Sequence, residues 1–152
     1  MALLIEGKKQ IVAEVTEVAS TAFAAVVADY QGLTVEQLTA LRVEARKLGV
    51  ATRVVRNTLA KRALQDTPFN ILNDNLVGPT ILAFSTSEDD MGAAARLFEE
   101  FAKTNKAFEL KAAAFDGKLY QGAEVSVIAN LPNQEKALTM LASVLQAPIS
   151  KL

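Results

Sequence analysis

Apolar residues recur along this chain in two rhythms. Ile11, Val15, Val18 and Ala22 follow at steps of four, three and four, which predicts an amphipathic helix from about Ile5 to Thr21. Ala22 to Ala28 is instead a continuous run of small apolar residues with Phe23, Val26 and Val27. It is too short for a free-standing buried helix and predicts an inner strand. Asp29-Tyr30-Gln31-Gly32 ends that strand. Thr34, with Gln37 three residues on, spells a capping box. Val35, Leu38, Leu41, Ala45 and Leu48 then trace one helical face as far as Gly49, which suits a left-handed cap.

Val50 to Arg56 predicts a second strand. Asn57 suits an N-cap, because its side-chain oxygen can accept from the free N–H groups of the following turn. Leu59 with Ala63, and Ala60 with Leu64, repeat at helical spacing and leave Lys61 and Arg62 on the solvated side. Thr67-Pro68 stops this helix. Ile71 and Leu72, within Phe69 to Leu76, suggest a further helical turn. Gly78-Pro79 leads into a third strand, Thr80 to Phe84, with proline at its beginning, where a missing N–H does least harm.

Glu88, Asp89 and Asp90 crowd the polar loop that follows and suit the N-terminus of the next helix. That helix has a core stripe of Ala94, Leu97, Phe98 and Phe101. Phe108, Leu110, Ala112 and Ala114 alternate with Glu109 and Lys111, a fourth strand with one wet face. Asp116-Gly117 marks a hairpin turn, with Lys118-Leu119-Tyr120 as its return. Past Gly122, Val125, Ile128 and Leu131 suggest a short helix broken at Pro132. Asn133 caps a last helix with Leu138, Leu141 and Leu145 on one stripe, and Ala147-Pro148 is expected to stop it.

The order is helix, β-α-β, inserted helices, β-α-β. It predicts an α+β fold, a ferredoxin-like split β-α-β-β-α-β sheet backed by helices. To this are added an N-terminal helix, a helical stretch between the second and third strands, and C-terminal helices. The 152 residues suit one globular domain over 1–120 and a helical extension over 121–152. No apolar run approaches the ~20 residues of a membrane span. The start, Met1-Ala2-Leu3-Leu4-Ile5-Glu6, lacks the charged lead and long apolar stretch of a signal peptide. The absence of cysteine fits a cytoplasmic location.

Charge changes this picture. The chain carries 16 Lys+Arg against 17 Asp+Glu, yet from Arg42 to Arg62 the cations are Arg42, Arg46, Lys47, Arg53, Arg56, Lys61 and Arg62, and the acid is Glu44 alone. A charge run is commonly just a solvated face. This one is rich in arginine, whose fork suits phosphate oxygens. Arg42 and Arg46 are an i, i+4 pair. Arg53 and Arg56, three apart, would point to opposite faces of an extended segment. The helix start at Asn57 adds the positive end of a helix dipole. Lys8 and Lys9 open the first helix, where cations oppose its dipole, a mild cost that a nearby anion would relieve.

With no His and no Cys, the commonest general base, the usual nucleophile pairs and the usual zinc ligands are gone. No Gly-rich phosphate motif occurs, so neither cofactor nor metal is expected. Three readings remain. A small carboxylate enzyme could use Asp29 beside Tyr30, although a strand-ending turn accounts for that pair better. A protein-binding adaptor could set the basic run against an acidic partner, a reading kept open by the acidic pI of 5.5. An RNA-binding protein would set it against phosphates. Phe and Tyr are absent between Gly32 and Pro68, so base stacking is not expected within that segment.

Five motifs carry a resemblance across about Ala2 to Leu152. They are Arg53-Val54-Val55-Arg56-Asn57-Thr58-Leu59, Val77-Gly78-Pro79-Thr80, Ala93-Ala94-Ala95-Arg96, Lys111-Ala112-Ala113-Ala114-Phe115, and Leu131-Pro132 with Glu135. In this order and spacing they resemble the bacterial large-subunit ribosomal proteins of family ten. The resemblance implies a non-enzymatic protein of the large ribosomal subunit that binds its rRNA beside the ribosomal protein of family eleven. There it forms the base of the ribosomal stalk. A C-terminal helix carries dimers of the acidic stalk protein, which recruit translation GTPases. In some bacteria the family also represses translation of its own messenger. RNA contact is carried over onto Arg53, Arg56, Asn57, Lys61 and Arg62, with Arg42, Arg46, Lys8 and Lys9 added from the charge pattern. Family members usually continue past Gln146-Ala147-Pro148-Ile149-Ser150-Lys151-Leu152 into a longer dimer-binding helix, so that function is expected of a tail beyond residue 152. Leu138, Leu141 and Leu145 could belong to the docking helix, with core packing as their first expected role.

Overall fold

A computed structural model of the chain describes residues 4–88, 90–115, 117–130 and 134–150. The expectations placed on Asp89, Asp116, Leu131, Pro132 and Asn133 lie outside the described residues. The first helix, α1, spans Ile5–Thr21 and is followed by β1 (Ala24–Asp29), α2 (Val35–Lys47), β2 (Val50–Arg53) and α3 (Asn57–Leu64). A 3-10 segment, Pro68–Asn75, leads to β3 (Thr80–Ser85), α4 (Ala93–Thr104), β4 (Glu109–Phe115) and β5 (Lys118–Gln121). After a short 3-10 turn come α5 (Val125–Ala129) and α6 (Gln134–Ser150).

The five strands form one sheet in the order β2-β3-β1-β4-β5. Each neighbouring pair is antiparallel. Strand β3 therefore slots between β1 and β2, and β1 slots between β3 and β4, which is the split arrangement the element order predicts. Strand β5 is a hairpin addition that covers one edge of this unit. The other edge, β2, is open.

Helices cover both faces. Val26, Ala28, Ile81, Ala83 and Ala113 pack with Leu41 and Ala45 of α2, Leu97 and Phe98 of α4 and Val125 of α5. Ala25, Val27, Leu82, Phe84, Ala112 and Ala114 pack with Val15 and Ala19 of α1, Ala60, Ala63 and Leu64 of α3, and Phe69 and Leu72 of the 3-10 segment. This explains the unbroken apolar run of β1: alternate residues face opposite cores, and neither face meets water. It also corrects one expectation. The fourth strand is not wet along one face, because Ala112, Ala113 and Ala114 are all buried under the two helical layers.

Three further corrections concern boundaries and stripes. Strand β2 ends at Arg53, not Arg56. The capping box of Thr34 and Gln37 forms, and Gly49 takes φ +71°, but Val35 is 80% exposed and Leu48 47%, so the buried stripe of α2 centres on Leu41 and Ala45. Pro148 does not stop α6, which continues to Ser150. A proline costs a helix one backbone hydrogen bond and crowds one carbonyl, and a single turn beyond it tolerates that. Among the described residues, no helix is long and apolar enough to cross a membrane.

Phe84 is fully buried on β3, with its ring 6.2 Å from that of Phe69. Phe84→Ala should cost about 3–5 kcal/mol of folding stability. Chemical denaturation checks this; a loss below about 1 kcal/mol would show that the α1/α3 core closes over the cavity.

Candidate nucleic-acid interface

Helix α2 runs through Gly49 directly into β2, so the last turns of the helix and the open edge strand lie side by side. Arg42 and Arg46, one turn apart on α2, thus line a single groove with Val50, Ala51, Thr52, Arg53 and Val54, about 610 Å³ in volume. Strand alternation sends Val50 into the α2/α4 core and Ala51 towards the α1/α3 core. Arg53 follows Ala51 to the α1 side, where its guanidinium lies 3.4 Å from Glu14. The arginines therefore wrap the edge of the sheet from both faces. Both members of the Arg53–Glu14 pair are about half exposed, so water screens their attraction and leaves the guanidinium able to exchange partners.

A second cleft, about 490 Å³, is lined by Tyr30, Val54, Val55, Arg56, Asn57, Thr58, Gly78, Pro79 and Thr80. Val54 borders both cavities, so the two form one continuous surface. Glu44, the acid within the basic run, points elsewhere and lines a separate groove with Glu100 between α2 and α4.

Asn57 does not act as the N-cap expected of it. It is the first residue of α3, Arg56 takes the cap position, and no side chain caps this helix. The Asn57 amide is used across the cleft instead. Its Nδ2 donates to the Gly78 carbonyl and its Oδ1 accepts from the Thr80 hydroxyl, each at 2.9 Å. Both ends of the amide thus hold the segment leading into β3 against the start of α3. Lys111 braces the same segment at the neighbouring carbonyl. It is the extra residue of a bulge, since Val27 pairs with Ala112 and Ala28 with Leu110. The bulge turns its ammonium to donate to the Val77 carbonyl and to lie 3.9 Å from Asp29. Asp29 in turn accepts from the Gln31 backbone N–H at 2.9 Å, so it belongs to the strand-ending turn.

Of the nine basic and polar residues expected to meet RNA, Arg42, Arg46, Arg53, Arg56 and Asn57 come together on this surface. Lys61 and Arg62 do not line it; they lie in the last turn of α3, opposite the buried Leu59, Ala60, Ala63 and Leu64. Lys8 and Lys9 open α1 and also lie outside both cavities. The surface includes residues that the sequence did not assign to RNA contact, Tyr30 and the Gly78-Pro79-Thr80 wall among them. Gly78, at φ +76°, is legible in the sequence as punctuation before a strand and as part of one resemblance motif, not as a cleft wall.

Comparison with known proteins bears on the whole chain. The sequence profile of the family "Ribosomal protein L10" matches residues 4–103, which run from α1 to the end of α4. The chain belongs to the ribosomal protein L10 family. A second profile, "Ribosomal protein uL10 C-terminal region", matches residues 131–152. The large ribosomal subunit protein uL10 of Acinetobacter baylyi is 93% identical over all 152 residues, which span 90% of that protein. Its counterpart in Acinetobacter baumannii is 91% identical and that of Pseudomonas fluorescens 55%, over the same shares. The chain is thus a protein of the large ribosomal subunit and not an enzyme.

Asn57→Ala removes both bonds that tie the Gly78-to-Thr80 wall to α3 and should cost about 1–2 kcal/mol. Asn57→Asp keeps the acceptor for Thr80 but loses the donor to Gly78, and should fall between. Denaturation midpoints of the three proteins test this order.

Proposed function

We propose that this chain binds large-subunit rRNA through the arginine-lined edge of its sheet and serves as the base of the ribosomal stalk. The observation that carries the reading is the convergence of Arg42, Arg46, Arg53 and Arg56 on two adjoining cavities beside an uncapped helix start. Guanidinium forks and free backbone N–H groups both suit phosphate oxygens. Lys61, Arg62, Lys8 and Lys9 supply longer-range attraction from α3 and α1. The contacts are mainly to the backbone of the RNA, so they fix register and orientation.

In this reading residues 1–120, with α5 packed on them, form the RNA-binding body, which sits beside the ribosomal protein of family eleven. Residues 121–152 begin the helical extension that carries acidic stalk-protein dimers, through which translation GTPases are recruited. The state of α6 supports the last point. Leu138, Leu141 and Leu145 are 59%, 57% and 65% exposed, so the core-packing role expected of them does not hold. Met140, Val144 and Ile149 are exposed beside them. A helix with this much uncovered apolar surface suits a partner helix.

A salt titration against a stalk-base rRNA fragment tests the first part. Affinity should fall with a log–log slope of about 0.7–0.9 per phosphate neutralised. Arg53→Ala/Arg56→Ala should bind more weakly and with a shallower slope. Equal behaviour of the two proteins would remove these arginines from the site, and absence of salt-dependent binding would favour an acidic protein partner. For the extension, Leu141→Glu should abolish co-purification with the acidic stalk protein and leave RNA affinity unchanged.

A further inference from the structure

We propose that the cleft between Tyr30 and Arg56 takes a single unpaired RNA nucleotide, its base on the tyrosine ring and its phosphate against the guanidinium. The inference rests on the rRNA-binding reading and adds to it a contact with one base.

Tyr30 is fixed before any ligand arrives. The Asp29 carboxylate accepts from the Gln31 N–H at 2.9 Å, and the Leu33 N–H donates to the Tyr30 carbonyl at 3.2 Å. Gly32 turns the chain at φ +91°, where a Cβ would meet that of Ala107 at 3.3 Å. Tyr30 packs partly on the α2/α4 core, is half-buried, and lines the cleft. Little conformational freedom is left to lose on binding, a condition that favours stacking.

The polar groups of the cleft divide into two sets. Those of Asn57 and Thr80 are spent on each other and on Gly78. By contrast, the Tyr30 and Thr58 hydroxyls and the Arg56 guanidinium have no hydrogen bond or ion pair among the described residues. A tyrosine needed only to fill the core could be a phenylalanine, whereas this one lines a polar cleft. An aromatic residue, a proline, an arginine and a threonine lining one cleft match a nucleotide. A paired base has both faces stacked within its helix, so a duplex offers this ring nothing to bind.

The chain has two tyrosines and no tryptophan, so Tyr120→Phe leaves Tyr30 as its fluorescent reporter. Two probes are titrated into that protein: the stalk-base rRNA fragment with its unpaired nucleotides, and a fully paired RNA duplex of equal length. The fragment should quench Tyr30 emission and the duplex should not. Tyr30→Leu, which keeps apolar packing, should weaken fragment binding about 5- to 100-fold with the salt slope unchanged. Tyr30→Phe, which keeps the ring and loses the hydroxyl, should weaken binding far less than Tyr30→Leu. Fragment binding that Tyr30→Leu leaves intact, or equal quenching by the duplex, would overturn this inference alone. Absence of salt-dependent binding by the wild type would overturn the rRNA reading, and this inference with it.

Discussion

The rest of the fold depends on the double burial of β1. Its six residues sit at the centre of the sheet and hydrogen-bond to β3 on one side and β4 on the other. Successive side chains enter different cores, and Ala25, Val26, Val27 and Ala28 are wholly buried. Small residues are required here, because helices press on the strand from above and below and leave little room between backbone layers. Ala112, Ala113 and Ala114 on β4 answer the same demand. Such a strand cannot slip by one residue without exchanging its two cores, so it sets the register of both neighbours.

The proposed RNA-binding surface lies at the periphery of this rigid centre. The split topology leaves β2 as an edge, and Gly49 brings the end of α2 alongside it. An open strand edge is ordinarily a liability, and charged side chains are one means of blunting it. Here the same arginines that discourage strand pairing gather around two cavities. The positions of the cavity walls are set by contacts outside the arginine set. Asn57 ties α3 to the start of β3, and Lys111, turned by the bulge in β4, supports the preceding carbonyl. The bulge thus links the centre of the sheet to the wall of the cleft.

The helical extension obeys a different rule. The body buries its apolar stripes, yet α6 presents six large apolar side chains at exposures of 57–72%. An uncovered stripe of this kind contributes nothing to the core of the body and is the basis of the docking role proposed for α6.

The sequence by itself determined the element order, the capping box at Thr34, the helical spacing within α3 and the basic run. Each depends on residues close together along the chain, so local propensity and periodicity suffice. It also determined the family, since the five motifs extend over the whole chain. Tertiary structure alone decided how these parts meet. Alternation along the fourth strand suggested a wet face, but the second helical layer that covers it comes from distant segments, α1, α3 and 3-10. Asn57 looked like a cap because its neighbours are helical, but its partners, Gly78 and Thr80, lie more than twenty residues away. No Phe or Tyr lies between Gly32 and Pro68, yet folding places Tyr30 in the cleft from outside that window. The leucines of α6 have a core-like spacing, and spacing cannot reveal whether a core lies opposite. Contacts between residues far apart in the chain are chosen by packing of the whole, so a local reading of the sequence does not contain them.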